Sequence, residues 1–111
     1  MQKALQIHFH GLETSDALEA RIREKVADLE RRCPEMTSCR VTVEKESRNH
    51  VKGNLFHISL VMLRPGRDIV VNRGPKDQGH ADVYIALRDT FEAAERQLEE
   101  MGWQRPQAEE A

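Results

Sequence analysis

Cations set at helical spacing are the most pronounced chemical feature of this sequence. Arg21, Lys25 and Arg32 lie four and seven residues apart, which places them in one row along an α-helix, with Asp28 at the intervening position. Lys45, Arg48 and Lys52 follow within one short stretch, then Arg64, Arg67, Arg73 and Lys76, and finally Arg88 and Arg96 among acids. Such side chains on rigid elements meet the phosphate oxygens of a polyanion. Arginine supplies twelve of the seventeen cations, and its planar fork can engage two oxygens at once. The net charge of −2 hides a division, since residues 21–76 hold thirteen of the cations against seven carboxylates and residues 77–111 hold three against nine. Charge sorted along the chain can be sorted in space, so a basic face can exist on a nearly neutral protein. The competing reading is that both regions are simply solvated.

Other reactive side chains make weaker patterns. His8 and His10 share the outward face of a strand, and His57 can join them from another, but the Cys and carboxylate company usual at a metal site is missing. Solvated strand histidines are expected, with no metal and no cofactor. Cys33 and Cys39 form no CxxC pair, so reduced thiols packed near a core are expected, with a disulfide as the alternative. Carboxylates fall on helix exteriors or caps, no nucleophile motif occurs, and RGPKDQG lacks the strand–loop–helix context of a phosphate-binding P-loop. No enzymatic activity is expected. The sequence has no apolar run long enough for a bilayer, and MQKALQIHFHGLE lacks the layout of a signal peptide, so a cytoplasmic location without membrane partners is the expectation.

These side chains need elements to position them. Leu5, Ile7 and Phe9 alternate with Gln6, His8 and His10, the pattern of a strand with one buried face, and Gly11 ends it. Ser15 is placed to cap a helix in which Leu18, Ile22, Val26, Leu29 and Cys33 form the apolar stripe and Pro34 stops the run. Thr37 to Glu46 alternates again. The polar segment SRNHVKGN and the Pro65-Gly66 turn then separate two further strands, Leu55 to Leu63 and Ile69 to Asn72. In the third strand Phe56, Ile58, Leu60 and Met62 are expected inward; Val61, Leu63 and Val70 should point outward, where they could form a partner surface. From His80 to Gly102, Val83, Leu87, Phe91, Ala94, Leu98 and Met101 gather on one helical stripe, while Ile85 falls on the polar side. The order β-α-β-β-β-α implies an α+β two-layer sandwich, a four-stranded sheet with two helices on one face and the first strand at an edge. One domain over residues 1–102 and a frayed tail over 103–111 are expected.

The opening LQIHFHGLETSDALEARIREKVADLER, the central VTVEKE and the helix DVYIALRDTFEAAERQLEEM together resemble the ribosome hibernation-promoting factor and Y protein family, also called ribosome-associated inhibitors or sigma-factor modulation proteins. The likeness spans residues 3–101, in strand–Gly–Ser/Thr cap–Ala-Leu, VEK, and the Asp-hydrophobic-Tyr that opens the last helix. It implies the fold derived above, similar to a double-stranded RNA-binding domain. It also implies a non-enzymatic factor that binds the small ribosomal subunit and its rRNA, inhibiting translation or protecting idle ribosomes under stress.

On that reading the RNA-binding residues are Arg21, Lys25, Arg32, Lys45, Arg48, Lys52, Arg64, Arg67, Arg73, Lys76, Arg88 and Arg96. The length corresponds to the family's short form, so pairing of ribosomes through a second, dimerising domain is not expected. One departure stands out: the family's last helix is usually basic outside, whereas this one carries Asp89, Glu92, Glu95, Glu99 and Glu100 against Arg88 and Arg96. The departure leaves two expectations open. Either RNA is met by the first helix and the loops, with the acidic helix toward a ribosomal or other protein, or the fold persists as a protein-interaction module without RNA binding. Sequence leaves the oligomeric state open.

Overall fold

The computed structural model describes residues 4–47, 54–72 and 82–100. Its elements are β1 (Ala4–His10), α1 (Asp16–Arg32), β2 (Ser38–Ser47), β3 (Asn54–Leu63), β4 (Ile69–Val71) and α2 (Val83–Glu100). The strands form one sheet in the order β1-β2-β3-β4. β1 lies parallel to β2, as a connection through a helix permits, and β2, β3 and β4 are antiparallel neighbours. The expected element order, edge position of β1 and two-layer α+β class are thus observed.

Alternation sets the face of every strand. Ile7, Val41, Leu60 and Val71 form one row across the sheet, and Leu5, Cys39, Met62 and Ile69 form the next. These rows meet Leu18, Ile22, Val26 and Leu29 of α1 and Leu87, Phe91, Ala94 and Leu98 of α2 in a single core. The other side of the sheet stays open, with His8, His10, Arg40, Glu44 and Val70 exposed. Phe56, expected inward, is only half-buried because its row lies beyond the cover of the core.

Local chemistry fixes the helix ends. The Ser15 hydroxyl accepts from the Leu18 amide at 3.2 Å, and Cys33 donates its backbone N–H to the Leu29 carbonyl just before Pro34. Asp82 performs the same service for α2, accepting from the Tyr84 amide at 2.9 Å. The buried stripe of α2 is broader than its sequence spacing indicates, because Ala86 and Thr90 are buried too. The Thr90 hydroxyl lies 2.9 Å from the Ala86 carbonyl oxygen and 3.3 Å from that of Ile58, so its burial leaves no orphaned polar group. Gln97 donates to the Val70 carbonyl at 2.8 Å and ties the helix to the short edge strand.

Both cysteines are buried and free. Burial pushes the Cys39 thiol up to about 12, and it also raises that of Cys33. No helix among the described residues is long and apolar enough to cross a membrane.

Candidate nucleic-acid interface

The helices bring cations together across their seam. Ile22, Val26 and Leu29 face the sheet, and the adjoining row on α1, Arg21, Lys25, Asp28 and Arg32, lies one step round the helix. Two contacts set the pairing with α2: the Arg21 guanidinium carbon lies 5.8 Å from the centroid of the Tyr84 ring, and Arg32 Nη1 lies 3.3 Å from Glu95 Oε1. Each pair is three turns from the other along its own helix, so α1 and α2 run side by side in the same direction.

The seam has two ends of different character. At the N-terminal end Arg21, Lys25, Tyr84, Ile85, Leu87 and Arg88 line a groove of about 270 Å³. Three cations from two helices border it, one aromatic ring stands in it, and exposed Ile85 adds apolar surface above the buried Leu87. Acids reach two of the cations: Arg88 contacts its neighbour Asp89 at 3.2 Å, and Arg21 lies 3.6 Å from Glu24. Arg21 and Arg88 remain more than half exposed, so these contacts screen their charge only weakly. At the C-terminal end Arg32 pairs with Glu95 across the seam instead.

The remaining cations separate in space. Arg64 is set apart by burial, its side chain only 15% exposed; it holds Glu35 at 3.0 Å and donates to the Arg67 carbonyl at 3.2 Å. That pairing braces the β3–β4 turn against the segment after α1 and holds the Glu35 carboxyl below its ordinary range. Arg67 is exposed at the same turn, where Gly66 takes φ +92. Lys45 is half-buried on β2, opposite Phe56, and its carbonyl lies against Gly11. Arg96 is exposed on α2. Arg48, Lys52, Arg73 and Lys76 lie outside the described residues, as does the expected tail over 103–111. Of the twelve cations named from sequence, the fold gathers Arg21, Lys25 and Arg88 at one groove. Tyr84 joins them there, a residue that sequence spacing did not single out; its signal was an aromatic at the exposed opening of a helix.

The histidines stand on the open face, away from the groove. His8 and His10 rings lie 6.4 Å apart, and strand pairing aligns His10, Glu44 and His57 in one row. Among the described residues no group of three or more His, Cys, Asp or Glu side chains is placed to hold a metal ion.

Residues 5–102 match the sequence model of the family described as sigma 54 modulation protein / S30EA ribosomal protein. The chain belongs to that family. Two solved structures share its fold. A ribosomal subunit interface protein from Coxiella burnetii superposes with a TM-score of 0.71 at 16% identity, over 91% of this chain and 99% of that one. The N-terminal domain of Protein Y from Thermus thermophilus gives 0.65 at 18% identity, over 90% and 99%. At these identities the likeness is one of fold. No curated protein matches the chain.

Proposed function

We propose that this S30EA-family chain is a non-enzymatic cytoplasmic factor that binds the small ribosomal subunit through its basic inter-helix groove and so inhibits translation or protects idle ribosomes. The observation that carries the reading is the convergence of Arg21, Lys25 and Arg88 on one groove from two rigidly packed helices. Cations fixed by a helix pair meet phosphates at set spacing, and RNA recognition by shape needs little more. Membership of a family described in part as ribosomal protein supports the same target. The fold shared with a protein named for the ribosomal subunit interface is consistent with it.

Acids shape how the molecule sits. Glu92, Glu99 and Glu100 are exposed on α2, and carboxylates facing phosphate would oppose the counterion release that drives binding. The N-terminal half of the helix pair therefore faces RNA, and the acidic outer face of α2 turns away from it or toward a basic ribosomal protein. A protein-interaction module without RNA binding is the second reading, and the same acidic face is the observation in its favour.

Pelleting with small subunits across a salt series separates the two. Binding that weakens steeply with salt and is lost in the triple variant R21E/K25E/R88E supports the ribosomal reading. No co-sedimentation of the native protein even at low salt sinks it. A nuclease-resistant complex with a protein partner lacking ribosomal components supports the alternative.

A further inference from the structure

We propose that the groove holds an unpaired nucleotide, with its base stacked on Tyr84 and its phosphate among Arg21, Lys25 and Arg88; the inference rests on the ribosomal reading and specifies what the groove takes. Cations alone suffice to follow the backbone of an RNA duplex, whose bases are turned inward. The Tyr84 ring meets Arg21 across the seam, but that contact leaves much of the ring uncovered, and a duplex offers it no base to stack on. Tyr84 is 42% exposed although it lies on a helix with ample core to join, and Ile85 beside it is 37% exposed. The inner stripe of α2 runs through Ala86, Leu87, Thr90 and Phe91, so Tyr84 is turned out of the core by helical geometry and into the groove.

The surroundings suit a base. Ile85, 37% exposed, supplies apolar surface beside it, and the Arg21 guanidinium, 5.8 Å from the ring centroid, offers a flat cation on which a π-system can rest. The volume of about 270 Å³ is of the order of one nucleotide. Planar aromatic, planar cation and phosphate-binding cations beside an exposed aliphatic side chain are the parts used for single-stranded RNA, where stacking supplies sequence-tolerant affinity. The segment sought is an unpaired stretch of RNA, such as a loop or a bulge.

The test compares a labelled single-stranded hexaribonucleotide, the same sequence as a duplex, and a nucleoside 5′-monophosphate, binding the 111-residue chain by fluorescence anisotropy or competition. The expected order is single strand over duplex. Tyr84→Ala should weaken the single strand about tenfold or more while leaving the salt dependence unchanged, because stacking releases no counterions. Tyr84→Phe, which keeps the ring, should bind as the native protein does. Competition by the monophosphate supports a site for one nucleotide, and no competition even in large excess overturns it. Equal binding of single strand and duplex, or undiminished binding by a folded Tyr84→Ala variant, overturns it. The ribosomal reading is judged separately. If Tyr84→Ala binds the hexamer and pellets with small subunits like the native protein, stacking fails and ribosome binding stands. If the native protein never pellets yet binds the hexamer through Tyr84, the reverse holds.

Discussion

Arg32 on α1 and Glu95 on α2 form an ion pair across the helix seam, Nη1 to Oε1 at 3.3 Å, and this contact ends the basic groove. A cation that sequence spacing aligns with Arg21 and Lys25 is thereby withdrawn from the cluster. Both side chains are about a third or more exposed, so the pair contributes little stability, at most about 1 kcal/mol. Its larger effect is on the reach of the positive field. Glu95→Gln should therefore leave the thermal midpoint nearly unchanged and extend the basic face along α1. Ribosome or RNA affinity should rise by up to about fivefold to tenfold at 0.1 M salt, the counterion release of one further phosphate contact, with a steeper salt dependence. Pelleting across salt concentrations reads it, and unchanged affinity would mean that RNA does not extend as far as Arg32.

Arg64 should behave in the opposite way. It is held by Glu35 and the Arg67 carbonyl, and its side chain is 15% exposed, so Arg64→Ala should cost about 1–3 kcal/mol in a urea titration and leave the salt slope of binding intact. The effect depends on pH. Glu35 has its carboxyl lowered by the Arg64 hydrogen bond, so the pair stabilises the fold above the ordinary value of 4.5 and loses that contribution as pH falls through the lowered one. The gap between native and variant stability should thus shrink on acidification. A gap that widened there would assign Arg64 another role.

Two glycines with positive φ separate conformational strain from steric conflict. Gly11 has φ +80, and a Cβ added there would lie 2.5 Å from the Lys45 carbonyl oxygen; Gly66 has φ +92 with nothing within 4 Å. Gly66→Ala should cost about 1–2 kcal/mol, the strain of a left-handed alanine. Gly11→Ala should cost clearly more, because the β1 exit must also part from β2. Chemical denaturation of both variants measures the difference, and equal costs would show that the backbone near Lys45 yields freely.

The thiols should be silent in the folded state. Burial holds Cys39 as a thiol up to about 12 and raises Cys33, so alkylation at pH 8 should label neither until the chain is unfolded. The same shift has a stability consequence. A thiol whose folded value lies above its unfolded 9.0 favours the fold below that pH, and the contribution is lost as pH rises from 9.0 toward 12. Mass spectrometry after a brief iodoacetamide pulse tests the first statement and alkaline denaturation the second. Rapid labelling of native protein would contradict the packing of both residues.

Period and punctuation in the sequence determined the elements. The alternation of Leu5, Ile7 and Phe9, the cap at Ser15, the stop at Pro34 and the turn at Pro65-Gly66 each act within a few residues, so their physics is local and could be read in order. Even the division into a basic middle and an acidic end was visible as composition. The site was legible only in part. Arg21 and Lys25 stand out by their helical row, but their association with Arg88 and Tyr84 exists only because α1 and α2 lie side by side in the same direction on one face of the sheet. Thr90 carries no core signal of its own: its hydroxyl reaches the Ala86 carbonyl one turn back at 2.9 Å, and only packing near Ile58 of β3 buries it. Ion pairing is likewise partly non-local: Arg32 and Arg64 look no different in sequence from Arg21, yet tertiary packing sets a carboxylate from a distant part of the chain beside each of the first two. Sequence thus determined which groups could meet a polyanion, and the packing of two helices decided which of them are presented together, because a Coulomb field depends on distances that only the folded chain sets.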